Sequence, residues 1–252
     1  MAVSLDFKID ASELAPLQSF AVAIAGRLDR VTAVAMTRSA KAAQTAIRER
    51  TPFYIDNPTR WTLNSTFVRP ATEARLSVIV GFKDYSSSGV PAARYMQQQV
   101  SGGRRGPKPF ENLLRRRGLL GAGEFAVTTG NDPLPHNTYG NVAASRYVQV
   151  LSRLAALREA GSTGNRTDSA RSKGKRKQVD YFVATIKGNK AIFARKADRS
   201  IGLVFQITNQ APTYTGKFPV PHILTESFSS AFDVEFKRAV QGQIDYQARK
   251  TK

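Results

Sequence analysis

The sequence predicts an α+β fold: a long N-terminal helix, a central antiparallel sheet with inserted short helices and basic loops, and a C-terminal helix. Alanine is abundant over residues 14–50, three short apolar segments follow one another over 180–208, and residues 219–247 have helical periodicity. No break in composition separates these parts. We therefore expect a single α+β domain over residues 1–252, with extended loops at about 101–118 and 130–178.

The N-terminal part is expected to be a short strand followed by the long helix. Residues 3–9 alternate apolar and polar side chains, and Asp10 or Ser12 is suited to cap a helix over 14–50. Proline disfavours helix at the residue before it, so Thr51-Pro52 predicts the helix end. The predicted packing face is the stripe of Val31, Val34, Arg38, Ala42 and Thr45.

The middle of the chain alternates short strands with short helices. Strands are predicted over 64–71, 72–82 and 125–129, and helices over 91–101, 110–117 and 145–160. Residues 161–177 are Gly-, Ser- and Lys-rich and predict a flexible basic segment. Three further strands are predicted over 180–208, before the closing helix.

Positive charge is concentrated in two windows. The chain has 38 Lys and Arg against 19 Asp and Glu, a net charge of +19. Residues 101–118 carry a net +5 and residues 165–199 a net +8. An excess of this size opposes folding by self-repulsion, and a polyanion or an acidic partner surface would relieve it.

Two interpretations of these windows remain open: solvated segments that aid solubility, or surfaces that contact nucleic acid or acidic protein. The positive sign favours contact, because acidic residues serve solubility at least as well. The candidate contact residues are Arg104, Arg105, Lys108, Arg115, Arg116, Arg117, Arg171, Lys173, Lys175, Arg176 and Lys177. No base-reading motif accompanies them, so the expected contact is electrostatic and independent of sequence.

Aromatic residues near the windows have two interpretations. Phe110, Tyr181, Phe182 and Phe193 are suited to stack on bases, but their periodicity favours ordinary core positions.

The search for catalytic chemistry indicates a non-enzymatic protein. The chain has no cysteine, which excludes thiol nucleophiles and zinc–thiolate sites, and only two histidines, both beside prolines. The acidic residues are scattered without metal-ligand spacing, and the Gly-rich stretch 118–125 lacks the Lys-Ser/Thr of a phosphate loop. We expect no catalytic residue, no metal and no cofactor.

The N-terminus has no signal-peptide pattern and no apolar run reaches membrane-spanning length, so we expect no membrane contact and a cytosol-like compartment.

The two ends of the chain resemble the phage minor tail protein Z family. The resemblance rests on the helix VTAVAMTRSAKAAQTAIRERTPF, the basic β-rich middle, and the ending PHILTESFSSAFDVEFKRAVQGQID. It implies a virion protein in several copies, made in the host cytoplasm and placed in the neck or at the head-proximal end of the tail. The implied partners are further copies of the chain and the portal, adaptor and tail-tube proteins. It carries no catalytic residues.

The resemblance predicts an oligomeric tail-completion or head–tail joining component with basic loops that face genomic DNA or acidic neighbouring subunits. A second hypothesis is a sequence-independent nucleic-acid-binding protein acting free in the host cytoplasm. A third, a phage nuclease, would require metal-dependent activity that a carboxylate substitution abolishes.

Overall fold

A computed structural model describes residues 26–87, 89–128, 136–158 and 162–250. The described helices are α1 Leu28–Tyr54, α2 Arg60–Leu63, α3 Ala92–Ser101, α4 Pro109–Arg116, α5 Ala144–Arg153, α6 Ala170–Gln178 and α7 Val220–Lys250. The described strands are β1 Thr66–Arg69, β2 Ile79–Phe82, β3 Gly103–Arg104, β4 Phe125–Val127, β5 Val179–Ile186, β6 Asn189–Lys196, β7 Ile201–Thr208 and β8 Thr213–Tyr214. All strand pairs are antiparallel, and the predicted α+β class is confirmed.

The chain divides into two compact units, whereas the sequence predicted one domain over 1–252. Unit 1 comprises Met1–Gly102 and Thr215–Lys252, and unit 2 comprises Gly103–Tyr214. Unit 2 is thus an insertion between two parts of unit 1. The first crossing lies in the Gly- and Pro-rich stretch 101–109, SGGRRGPKP, which was predicted as a loop within one domain.

Unit 1 is built around the packing of α1 against α7. Small residues of α1, among them Ala35 and Ala43, share a core with Phe228 and Phe232 of α7, whose rings stack with centroids 5.8 Å apart. Full burial stabilises each such phenylalanine by roughly 1.5–3 kcal/mol. The small side chains leave room for these rings.

The predicted packing stripe of α1 is wrong apart from Val31. Val34, Arg38, Ala42 and Thr45 are exposed, and the buried face runs instead through Ala35, Met36, Ser39, Ala40, Ala43 and Ile47. The aromatic residues of α7 pack against this face, and the α1 sequence alone does not specify that partner. Ser39 fits this face because its hydroxyl donates to the Ala35 carbonyl at 2.8 Å.

The predicted helix end at Thr51-Pro52 is also wrong, because α1 continues to Tyr54. Pro52 removes one backbone donor, but the Thr51 hydroxyl donates to the Ile47 carbonyl at 2.7 Å. The Ile55 N–H in turn donates to the Thr51 carbonyl at 3.0 Å. Stacking of Tyr54 on Phe218, with centroids 4.8 Å apart, stabilises the added turn. The strand predicted over 3–9 and the predicted helix start lie outside the described residues.

Unit 2 contains a four-stranded sheet of order β4-β7-β6-β5 with α4 and α5 on one face. Its core comprises Phe110, Leu114, Leu120, Ala126, Val150, Leu151, Ala156, Tyr181, Ile192, Ala194, Val204, Phe205 and Ile207. The β5–β6 turn places Lys187 and Gly188 at φ values of 51° and 80°, a left-handed pair that twists with the strands.

The loops predicted over 101–118 and 130–178 contain more regular structure than expected. The flexible basic segment predicted over 161–177 is wrong for its last part, where α6 forms. The Ser169 hydroxyl caps α6 by accepting from the Ser172 N–H at 3.3 Å, and three basic residues in the last turn complement the helix dipole. The Arg176 guanidinium also donates to the Thr167 carbonyl at 2.8 Å, which ties the helix to the preceding turn.

Candidate polyanion-contact surface

All eleven predicted contact residues lie in unit 2. Six of them lie on β3, on α4 or beside α4, and the other five lie on α6. Their side chains differ in availability, since some guanidinium groups bind within the unit and others face solvent.

Arg105 is buried and binds inside unit 2. Its two terminal nitrogens donate to the two carboxylate oxygens of Glu111 at 2.8 and 2.6 Å, and one of them also donates to the Gly106 carbonyl at 3.1 Å. The guanidinium lies 5.3 Å from the centre of the Phe125 ring. This bidentate geometry uses the donors that a phosphate would need, so Arg105 is a structural residue.

Glu111 is fully buried and accepts two further hydrogen bonds. The Lys108 N–H donates to it at 2.7 Å and the Ala126 N–H at 2.9 Å. Burial raises the pKa of Glu111, but the hydrogen bond from Arg105 and the two from backbone N–H groups outweigh it and hold this pKa below its ordinary value. The carboxylate therefore stays ionised and joins the start of α4 to β4.

Arg115 and Arg176 are also engaged within unit 2. Arg115 donates to the carbonyls of Gly121 and Glu124 and so holds the turn after α4. Arg176 forms an ion pair with Asp168, with nitrogen and oxygen 3.5 Å apart, besides its bond to Thr167. Both side chains stabilise local structure, and neither presents a free guanidinium.

The eight remaining candidates are exposed. One of them, Lys108, is set apart because its backbone N–H binds Glu111 of the buried pair. Within the described part of the chain, the other seven side chains form no hydrogen bond or ion pair: Arg104, Arg116, Arg117, Arg171, Lys173, Lys175 and Lys177. Four of these seven are on α6, whose sequence ARSKGKRKQ contains no acidic residue. We call these seven residues the free cations.

The four aromatic candidates divide between the two faces of the sheet. Phe110 and Tyr181 are core residues. Phe182 and Phe193 are a cross-strand pair outside that core, stacked with ring centroids 5.7 Å apart and only partly buried.

The Arg195 guanidinium lies 4.9 Å from the centre of the Phe182 ring, on the same sheet face. Sequence reasoning did not select Arg195. The period-2 alternation of β6, which puts Phe193 and Arg195 on one face, was the signal that could have identified it.

No three histidine or acidic side chains are gathered as a metal site in the part of the chain that the structure describes. Across those same residues, no helix combines the length and apolar character needed to span a membrane.

Comparison with known proteins gave no relative: no family model matches the chain, and neither a curated protein nor a solved structure matches it significantly. The resemblance to the minor tail protein Z family therefore stays a prediction.

Proposed function

We propose that the chain is a structural virion protein of a tailed bacteriophage, an oligomeric neck, tail-completion or head–tail joining component. Its basic surface meets genomic DNA or acidic neighbouring subunits. The resemblance of the two chain ends supports the location in the virion. The observation that carries the contact is the set of seven free cations, four of them on one helix.

The free cations support a contact with polyanions because nothing on α6 balances them. A nine-residue helix with five cations and no acid repels itself, and each exposed cation remains available to an external anion. Neutralising phosphates releases counterions from DNA, which favours binding without reading the bases. Acidic protein surfaces would be bound by the same charges.

Exposed aromatic side chains of unit 1 support assembly with other proteins. Phe53 in the last turn of α1 is 83% exposed, Tyr85 after β2 is 75% exposed, and Trp61 of α2 is 45% exposed. Lys83, two residues before Tyr85, lies over the Trp61 ring at 5.9 Å. Large exposed aromatic residues are typical of surfaces that bind partner subunits.

The experiment that tests this proposal is light scattering on the purified chain together with a variant of the exposed aromatic residues. The chain is expected to form a closed oligomer, and the double substitution Phe53→Ser, Tyr85→Ser to shift it towards monomer. The control substitutes two exposed apolar residues of unit 2, Ile186→Ser and Ile201→Ser. A wild-type chain that stays monomeric at all concentrations contradicts the proposal.

The second candidate function is a sequence-independent nucleic-acid-binding protein acting free in the cytoplasm. The stacked Phe182–Phe193 pair beside Arg195 favours it, because aromatic and guanidinium groups together bind exposed bases. A titration of DNA binding against salt separates the two functions. Tight, steeply salt-dependent binding by monomeric chain supports this candidate, whereas oligomer formation with negligible binding at physiological salt supports the virion protein.

A further inference from the structure

Arg153, the last residue of α5, is a buried cation without an internal partner. Its side chain belongs to a residue that is 6% exposed, and its Nε atom is buried with no hydrogen-bond acceptor. Within the described residues it forms neither a hydrogen bond nor an ion pair. The buried Arg105 of the same unit, in contrast, has Glu111.

Two other groups lie close to Arg153. Arg146 is two helical turns earlier on α5 and shares its face, with one terminal nitrogen donating to Gln149 at 3.0 Å. Tyr181 of β5 is 3% exposed. It packs in the same core as Leu151 of α5, the helix that carries both arginines. Burial raises the pKa of its hydroxyl, and the positive charges of Arg146 and Arg153 oppose that rise.

An unpaired buried guanidinium is unfavourable. Arginine cannot shed its proton at any accessible pH, so burial cannot neutralise it as it neutralises a lysine. Removing an ion from water is unfavourable unless an anion and hydrogen bonds compensate for the loss. The C-terminal end of α5 supplies about half a negative charge, but none of the carboxylates in the described residues is paired with Arg153.

We propose that Arg153, with Arg146 and the Tyr181 hydroxyl, forms a binding site for a free phosphate ion. Two guanidinium groups and a phenol offer charge and several donors to one tetrahedral oxyanion. The Nε atom of Arg153 is the donor that an oxygen of the ion would satisfy. This site stands apart from the proposed virion function, because it depends on neither DNA nor partner subunits.

The burial of Arg153 favours a small ion over a nucleic-acid backbone. A phosphodiester is flanked by sugars and needs an open surface, such as the exposed face of α6. A guanidinium that is 6% exposed admits a small anion more readily than a polymer. The phosphate site and the seven free cations are therefore separate surfaces of unit 2.

The test measures the melting temperature as a function of inorganic phosphate concentration at constant ionic strength, with chloride as the reference anion. The wild-type melting temperature is expected to rise with saturation, since a ligand that binds only the folded state stabilises it by mass action. Arg153→Met is expected to lose the saturable rise. It should also be at least as stable as wild type without phosphate, because an uncompensated buried charge has been removed.

Three variants complete the test. Arg146→Met is expected to weaken phosphate binding about tenfold, the loss of one charge-assisted interaction. Arg199→Met, at an exposed cation between β6 and β7 that is not one of the free cations, is expected to keep the full response and controls for phosphate acting on the surface at large. Should Arg153→Met fail to fold, Arg153→Lys keeps the charge without the planar fork, and phosphorus NMR is expected to show weaker binding.

Two outcomes would overturn the proposal. One is a wild-type response no larger than that of Arg153→Met or that seen with chloride. The other concerns Glu159, the nearest acidic residue along the sequence, which lies outside the described residues. If Glu159→Gln lowers stability without phosphate and Arg153→Met does the same, the chain supplies its own counter-anion.

Discussion

Arg105 and Glu111 form a buried ion pair with two parallel hydrogen bonds, of 2.8 and 2.6 Å, inside unit 2. Glu111 also accepts from the Ala126 N–H of β4 at 2.9 Å. The pair therefore connects the residue after β3, the first turn of α4, and β4. A residue that the sequence indicated as a contact for external anions has its anion within the fold.

Glu111→Ala is expected to destabilise unit 2 by about 3–5 kcal/mol, the usual effect of removing one partner of a buried ion pair. The substitution leaves the Arg105 guanidinium and two backbone N–H groups without their acceptor. Urea unfolding measures the loss, and hydrogen exchange at the Ala126 N–H reports it locally. A loss below about 1 kcal/mol, the range of exposed pairs, would contradict the buried bidentate geometry.

The stability of unit 2 is expected to fall in mild acid. The pKa of Glu111 is lower in the folded chain than its ordinary value of 4.5. The unfolded chain therefore takes up the proton first as the pH falls. This contribution is complete above about pH 4.5 and is lost as the pH falls towards the folded pKa.

Urea unfolding at a series of pH values between neutral and acid measures this dependence, and Glu111→Gln is expected to flatten it. Glu124 contributes in the same direction, since the Gly121 N–H and then the Lys190 ammonium lower its pKa. Glu124→Gln is the matched comparison and is expected to flatten the curve less, because this carboxylate is partly exposed. Equal effects of the two variants would contradict the buried site.

Gly216→Ala is expected to destabilise unit 1 markedly. A Cβ atom there would lie 2.5 Å from the Val100 carbonyl oxygen and 3.0 Å from the Gly102 nitrogen. Both are backbone atoms, so the chain after α3 would have to shift and weaken the bonds of Lys217 and Phe218 to Gln99. Gly106→Ala, where nothing lies within 4 Å, is the control. Thermal unfolding compares the two, and equal melting temperatures would rule out this close approach.

DNA binding at low salt is expected to depend on α6. Substituting four free cations by glutamine, Arg171, Lys173, Lys175 and Lys177, removes the charges that would neutralise phosphates. The slope of log affinity against log salt should fall by about 0.9 for each phosphate that is no longer neutralised. Fluorescence anisotropy with a labelled duplex of arbitrary sequence measures it.

The matched control for α6 removes the same charge from exposed cations of unit 1, by glutamine at Arg48, Arg75, Arg94 and Lys237. It is expected to keep most of the slope. If control and α6 variant reduce affinity and slope equally, binding follows net charge and α6 has no special part in it.

Periodicity predicted most of the regular elements, because local alternation determines them. The strands β5, β6 and β7 follow the alternation of apolar residues over 180–208. Helix α3 ends at Ser101, just before Gly102, whose φ of 68° suits glycine. Helix α6 was missed because the basic, Gly- and Ser-rich composition of residues 161–177 predicted a flexible segment, and the capping hydroxyl of Ser169 was not considered. The buried face of α1 was predicted wrongly because that face packs against Phe228 and Phe232, about 190 residues further along the chain.

The candidate site was predicted in part. The sequence located both basic windows, and seven of the eleven candidate contact residues remain free in the described structure. It could not separate Arg105 from Arg104, because only the fold brings Glu111 against one of them. Arg153 was missed for the same reason: an amphipathic helix pattern does not show which of its arginines the sheet will bury.

The most direct test of the central proposal is quantitative mass spectrometry of purified particles of the tailed phage to which the proposal assigns this chain. The proposal predicts several copies of the chain per particle, retained through density-gradient purification and present in the neck or tail fraction. Particles without the chain, together with free chain bound to DNA in the infected cell, would contradict it.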